Sequence, residues 1–196
     1  MTCDQAAQAV AEGKELTCEE LDQANKDARK NELDNDNTPE GFALTTAVGT
    51  NKNGVSGFMK GVSSGDAPKK EFKNGYAPAV KAKTRPDCSG AGGYDAQRKN
   101  DSETKVLDPF MRSAGSGGSV TMKVYHRSVA GGVTTEDEMP CISCRKSICG
   151  AEKCGITVTL CNKNNEKVKA ADMCDDGKPK GTGSTSDPLW TNAGFA

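Results

Sequence analysis

The sequence predicts an α/β protein in which helices pack on the faces of a mixed β-sheet. Runs of apolar and β-branched residues have the length of strands, and the clearest of them covers residues 156–161. Segments with helical periodicity separate these runs, so strands and helices alternate along the middle of the chain. A chain of 196 residues is also long enough to bury the core of one domain.

Residues 1–40 predict an acidic helical extension at the amino terminus. Helical periodicity covers residues 2–33, with a break near Gly13 and a capping box that begins at Thr17. The extension carries 4 Lys/Arg against 11 Asp/Glu. Few of its apolar residues are large, which predicts accessory and loosely packed helices. Residues 34–39 predict a linker.

The sequence pattern predicts that residues 41–174 form the main domain, and it predicts the order of the elements in that domain. They are a hairpin over 42–59, an edge strand over 76–82, a helix over 101–111, a strand over 120–126, a glycine-rich and acidic loop, a helix over about 141–151, a strand over 156–161 and an antiparallel return over 167–170. Residues 175–196 are rich in Gly, Ser, Pro and Asp and predict an irregular tail.

Nine cysteines are many for this length, and five of them fall within residues 141–161. The odd number favours metal binding, with some remaining thiols or disulfides, over a secreted disulfide scaffold. The first residues contain neither a basic segment nor an apolar one, so we expect no signal peptide. No apolar run approaches the ~20 residues that a membrane span needs.

The candidate metal site combines two thiols with a carboxylate. Cys141 and Cys144 lie one turn apart at the start of a predicted helix, so both can bind one ion. Asp101 starts an earlier predicted helix and offers a carboxylate oxygen as a third ligand. Glu103 projects differently, which leaves it free to move protons. Acidic residues at a helix start are also common as caps, and Cys-x-x-Cys also suits a structural zinc site.

Two segments carry a resemblance to a known family. The run Asn100-Asp101-Ser102-Glu103-Thr104-Lys105-Val106-Leu107 is followed by a strand and then by Met139-Pro140-Cys141-Ile142-Ser143-Cys144-Arg145. This arrangement resembles the bacterial polymorphic-toxin deaminases, some of which carry D-S-E where most zinc deaminases carry H-A-E. The resemblance covers roughly residues 41–174. It implies a cytidine deaminase-like three-layer fold, and the antiparallel return after Cys161 resembles the cytidine-deaminase branch of that fold.

The resemblance also implies an activity and its residues. Asp101, Cys141 and Cys144 are the implied zinc ligands, and Glu103 is the implied proton shuttle. The implied reaction is hydrolytic deamination of cytosine to uracil, with DNA favoured over RNA or free nucleosides and with adenine as an alternative base. A toxin of this kind is delivered by contact-dependent or type VI secretion into the target-cell cytoplasm and needs a cognate immunity protein.

Several alternatives remain open at the level of sequence. His126 or Cys88 can replace Asp101 as the third ligand. Cys149, Cys154, Cys161 and Cys174 have no role in this site and can be core thiols, a disulfide or a second metal site. The chain can instead be a non-enzymatic zinc-binding module, or an effector of another chemistry whose cysteines form disulfides.

Contacts to a nucleic-acid substrate are equally open. Residues 41–174 carry 20 Lys/Arg against 13 Asp/Glu, an excess that permits a polyanionic partner. Aromatic residues near the motifs can stack on a base or belong to the core: Phe110, Tyr94, Tyr125 and Trp190. Basic residues can hold phosphates or lie in solvent: Arg98, Lys99, Arg127, Arg145 and Lys146.

Overall fold

The computed structural model of the chain describes residues 1–33, 41–63, 77–78, 101–111 and 117–196. The helices in this part are α1 (Cys3–Ala11), α2 (Cys18–Leu33), α3 (Ser102–Met111), α4 (Ile142–Lys153) and α5 (Pro188–Asn192). The strands are β1 (Phe42–Asn51), β2 (Ser56–Val62), β3 (Ala77–Pro78), β4 (Gly118–Ala130), β5 (Val133–Asp137), β6 (Thr157–Cys161), β7 (Lys167–Lys169), β8 (Cys174–Asp175) and β9 (Lys178–Pro179). None of these helices is long and apolar enough to span a membrane.

A mixed sheet forms the centre of the molecule, as the sequence predicts. Its strands follow the order β3-β2-β1-β4-β6-β7, and β5 pairs with the far end of β4. The pairs β1–β2, β1–β4 and β6–β7 are antiparallel, whereas β4–β6 is parallel. The predicted antiparallel return after Cys161 is therefore confirmed. Pro78, for which the sequence predicts an edge or a strand start, lies in β3, the first strand in this order among the described residues. The rest of the strand predicted over 76–82 lies outside the described residues.

Helices cover both faces of the sheet and make three layers. Successive residues of a strand point to opposite faces. On β1, Leu44 belongs to the apolar cluster of α1 and α2, whereas Ala47 belongs to the cluster of α3 and α4. The hydroxyl groups follow the same alternation, because Thr46 donates to the carbonyl of Leu21 on α2 and Thr45 contacts Ser102 on α3.

The prediction that the amino-terminal helices pack loosely is wrong. Leu21, Ala24 and Ala28 are fully buried on the inner face of α2. Small alanines allow the helix to approach the sheet closely, so the layer packs tightly although it contains few large side chains. Lys123 on β4 is also buried, and its ammonium lies 3.9 Å from a carboxylate oxygen of Asp22 on α2.

The segment after β4 is a strand, not the predicted loop. Gly131 and Gly132 adopt φ values of 59° and 77° and connect β4 to β5 as a two-residue hairpin turn. This pairing places Asp137 directly opposite His126. The two glycines between apolar and β-branched residues were a signal for this hairpin, and the acidic residues of β5 obscured it.

The carboxy-terminal segment is more ordered than the predicted irregular tail. Asp187 caps α5 by accepting a hydrogen bond from the backbone N–H of Leu189, and Pro188 occupies the first turn. Trp190 and Phe195 are fully buried, with ring centroids 5.6 Å apart. The tail therefore completes the core beside α4 and β6.

Disulfides account for most of the cysteines outside the candidate site. Cys18 at the start of α2 pairs with Cys161 at the end of β6, and Cys149 pairs with Cys174. Cys154 is disulfide-bonded as well. Of the alternatives left open for these residues, the structure therefore selects the disulfide. Among the described cysteines, the free thiols are Cys3, Cys141 and Cys144.

Candidate metal centre

Helix α3 brings the acidic motif against the centre of the sheet. It begins after Asp101, whose carbonyl accepts from the N–H of Lys105 in the first turn. Gly61 on β2 lets the helix approach, because a Cβ at this position would collide with the carbonyl oxygen of Ser102. The helix continues through Pro109 to Met111, as the sequence predicts.

Helix α4 brings the two thiols to the same place. Cys141 is its N-cap residue, and the Cys141 sulfur accepts a hydrogen bond of 3.1 Å from the N–H of Cys144. Positive partial charge at a helix amino terminus favours thiolates there. Cys141 is partly exposed, whereas Cys144 is buried. The spacing of one turn thus aims both sulfurs at one point, as the motif predicts.

Asp101, Cys141 and Cys144 converge on that point. One potential ligand atom from each residue lies within 4.8 Å of the others, and this group can hold a metal ion. A carboxylate oxygen of Asp101 lies 3.4 Å from the Cys144 sulfur and 3.8 Å from the Cys141 sulfur. The hydrogen bond between the thiols lowers the pKa of Cys141 and raises that of Cys144, and burial raises the pKa of Cys144 further.

Glu103 lies on the same helix and is fully buried. Its Oε2 accepts a hydrogen bond of 2.8 Å from the hydroxyl of Ser102. Because that hydroxyl has only one proton, the hydroxyl of Thr45 must donate to Ser102 over the 2.8 Å that separates them. Oε1 of Glu103 makes no hydrogen bond within the part of the chain that the structure describes, and it faces Nε2 of His126 at 3.6 Å. Oε2 is therefore held by a hydrogen bond, whereas Oε1 is available to a further partner.

His126 lies beside the centre and not in the ligand cluster. Its Nδ1 lies 3.2 Å from Oδ1 of Asp137, and its Nε2 faces Glu103. Burial by itself would lower the pKa of His126, but the hydrogen bond to Asp137 and the negative charges of Glu103, Asp137 and Cys141 raise it to about 9. Among the described residues, His126 is not part of the group whose ligand atoms converge, so the geometry favours Asp101 over His126 as the third ligand. Cys88 lies outside the described residues.

A cavity of about 220 Å³ opens next to the centre. Cys141, His126, Met139, Pro140 and Asp137 are among its lining residues. Its volume is below the roughly 300–1,000 Å³ of pockets for drug-sized ligands, so it suits a small ring. A neighbouring cavity of about 340 Å³ also includes Asp137 in its lining.

The aromatic candidates for base stacking belong largely to the core. Phe110 and Trp190 are buried in the cluster of α3 and α4. Tyr125 is buried on the opposite face, where its hydroxyl donates to Glu136 and the guanidinium of Arg29 lies 4.0 Å from its ring centroid. Tyr94 lies outside the described residues. The core interpretation of the three described rings is confirmed.

Of the candidate phosphate-binding residues that the structure describes, Arg145 is among the residues that line the small cavity. Arg145 is buried and donates to the carbonyls of Pro140 and Ser184, so it stabilises the approach to α4. Lys146 is exposed and Arg127 is partly exposed. Arg98 and Lys99 lie outside the described residues. Sequence reasoning missed Asp137, because its contact with His126 depends on the unpredicted strand β5.

Comparison with known proteins identifies no relative of this chain. No protein-family model matches the chain, and neither the curated proteins nor the solved structures contain a significant match.

Proposed function

We propose that this chain is a zinc-dependent nucleobase deaminase of the bacterial toxin type, which converts cytosine in DNA to uracil. The observation that carries the proposal is the convergence of Asp101, Cys141 and Cys144, with the buried carboxylate of Glu103 on the same helix as the motif. The succession of hairpin, helix, strand, helix, strand and antiparallel return supports a cytidine deaminase-like fold as part of the same proposal.

The donor set fits zinc. Thiolate sulfur and carboxylate oxygen are both zinc ligands, and a catalytic zinc commonly keeps three protein ligands and one open position. A closed structural site uses four protein ligands, whereas three converge among the described residues. This difference favours an enzyme over the non-enzymatic zinc-binding module. When bound here, zinc supplies a Lewis acid that makes water reactive at neutral pH.

Glu103 is the residue that moves protons in this proposal. In a hydrolytic deamination, water adds to the amidine carbon of the base, and the amine leaves as ammonia. Protons must therefore pass from the water to the ring nitrogen and to the departing amine. Oε2 of Glu103 is held by Ser102, so Oε1 is the atom that accepts and returns the proton.

Met139 and Pro140 are buried residues in the lining of the small cavity. They limit the access of bulk water to a base placed there, which strengthens electrostatic contacts within the site. A flipped or single-stranded base has the dimensions that such a cavity accepts. DNA as the polymer rests on the basic excess of residues 41–174 and on the family resemblance.

The delivery route belongs to the same proposal. Disulfides form in oxidising surroundings, and the cross-links at Cys18–Cys161 and Cys149–Cys174 suit a protein that leaves the reducing cytoplasm during secretion. A toxin that attacks DNA would also harm the cell that makes it. A neutralising immunity protein in the producing cell is therefore the expected partner.

Expression of the chain in bacteria that lack uracil excision tests the proposal. We expect C-to-T changes in genomic DNA, and we expect Glu103→Gln to reduce their frequency at least about 100-fold, because general acid–base catalysis contributes about 10²–10⁴-fold. Glu15→Gln is the matched control, since the Glu15 side chain is 86% exposed and lies far along the chain from both motifs. Total RNA is sequenced in parallel.

The outcomes separate the alternatives. Changes confined to RNA would reject DNA as the substrate and retain the deaminase. Unchanged DNA and RNA from cells that contain the folded, zinc-loaded protein would reject a polymeric substrate, and ammonia release from free cytidine then decides whether any deaminase remains. If no ammonia is released and Glu103→Gln still binds zinc, the chain is a zinc-binding module.

A further inference from the structure

Among the described residues, the buried carboxylate of Glu103 has one oxygen without a hydrogen bond, and an imidazole nitrogen lies close to it. The imidazole is that of His126, whose Nε2 lies 3.6 Å from Oε1. A buried carboxylate without a partner for one oxygen is unfavourable, so this contact has a physical cause. His126 belongs to β4, a strand of the sheet on which α3 packs, and α3 carries the acidic motif.

His126 is itself held in place from the other side. The antiparallel pairing of β4 with β5 sets Asp137 opposite His126, and Oδ1 of Asp137 lies 3.2 Å from Nδ1. Oδ1 of Asp137 also accepts a hydrogen bond of 3.1 Å from the N–H of Met139. A ring with a carboxylate at each nitrogen is fixed in orientation and favours the doubly protonated form.

We propose that His126, oriented by Asp137, is a positioning residue that holds the carboxylate of Glu103 at the angle its proton transfers require. This inference rests on the proposed function. Ser102 fixes Oε2 and His126 faces Oε1, so the two contacts together determine the plane of the carboxylate. His126 acts through Glu103 and is not a zinc ligand, because both of its ring nitrogens are directed at carboxylates.

Nitrogen NMR of the imidazole tests the contact directly, since His126 is the only histidine of the chain. Near neutral pH we expect the signals of a doubly protonated ring. Glu103→Gln should shift mainly the Nε2 signal, and Asp137→Asn should shift mainly the Nδ1 signal. Addition of zinc should leave Nε2 without the signal of a metal-bound nitrogen. A metal-bound Nε2 signal, or a ring that responds to neither variant, overturns the proposal.

Two substitutions of His126 test the positioning role in the enzyme. The amide nitrogen of His126→Gln extends to the place of Nε2 and can take over the contact with Glu103, whereas that of His126→Asn corresponds to Nδ1. We expect His126→Asn to lower kcat on the order of 10–100-fold, with KM nearly unchanged, as for other residues that orient a catalytic group. His126→Gln should recover a large part of this loss, and both variants should bind one zinc.

Equal losses in the two variants, or loss of zinc from either, would reject the positioning role. The NMR readout does not depend on turnover, so the two proposals fail in different ways. An inactive wild-type chain whose imidazole responds to Glu103→Gln rejects the deaminase and supports the contact. An active chain whose imidazole is silent rejects the contact and retains the deaminase.

Discussion

The disulfide between Cys18 and Cys161 gives the sharpest prediction about stability. It joins the acidic amino-terminal layer to the central sheet and closes 143 residues of sequence, whereas Cys149–Cys174 closes 25. A cross-link stabilises a protein mainly because it restricts the unfolded chain, and the effect grows with the logarithm of the closed length. The chain-entropy relation gives about 5 kcal/mol for the long loop and about 3.5 kcal/mol for the short one.

The perturbation is a pair of double variants, Cys18→Ala/Cys161→Ala and Cys149→Ala/Cys174→Ala, each of which removes both partners of one disulfide and so creates no new free thiol. The two loops overlap in sequence, so each remaining cross-link shortens the free chain and the observed losses should be about 3–5 and 2–3 kcal/mol. Unfolding in urea, followed by tryptophan fluorescence of Trp190, measures both. The long-loop variant should also show a larger m-value, because its unfolded chain expands more.

One result would refute this reasoning: a smaller loss for the long-loop variant than for the short-loop variant. That order would mean that the cross-link acts through local contacts in the folded protein. The shape of the curve is informative as well. A single transition indicates that residues 1–40 unfold with the sheet, whereas two transitions indicate that the predicted amino-terminal extension is a separate unit.

Three further predictions concern the site and its support. Asp101→Ala should weaken zinc binding more than about 100-fold, whereas Asp101→His should retain it, as measured by competition with a chelator. Equal zinc affinities of the wild type and Asp101→Ala would show that residue 101 is not a ligand. In zinc-free protein the raised pKa of His126 should stabilise the fold below its unfolded pKa of about 6.5, and this contribution of about 2–3 kcal/mol should disappear as the pH rises through about 9. Urea unfolding at several pH values, with His126→Ala as reference, checks it, and identical pH profiles would contradict it. Gly61→Ala should lower the free energy of unfolding by about 1–3 kcal/mol and weaken zinc binding, because the added Cβ displaces Ser102 and with it α3. An unfolding free energy equal to that of the wild type would show that α3 can accommodate the Cβ.

Local pattern was sufficient for most elements and for the composition of the centre. Helix α4 and strand β6 were predictable because their residues have one strong periodicity and clear boundaries. The motif spacing also named Asp101, Cys141 and Cys144 before any geometry was known. Each of these features depends on residues that are close in sequence, which is where propensity and spacing are most reliable.

Features that depend on distant contacts could not be derived in this way. Nine cysteines allow a large number of pairings, and nothing local relates Cys18 to Cys161 across the chain. The small apolar residues of α2 do not reveal that this helix packs, together with α1, on one face of the sheet. The contact between His126 and Asp137 needs the register of a hairpin whose second strand is polar and exposed.

The position of the centre follows from topology once the direction of two strands is known. Helix α3 leads into β4 and α4 leads into β6, each through a short connection, so each helix runs opposite to the strand that follows it. Because β4 and β6 are parallel, both helix amino termini lie at the carboxyl edge of these strands. His126 lies in the carboxyl half of β4, and β5 returns Asp137 to the same edge. The parallel pairing of β4 with β6 thus brings together the acidic motif, the two thiols and the imidazole. An antiparallel pairing would direct the start of α4 to the opposite edge, and the same motifs could then form no common site.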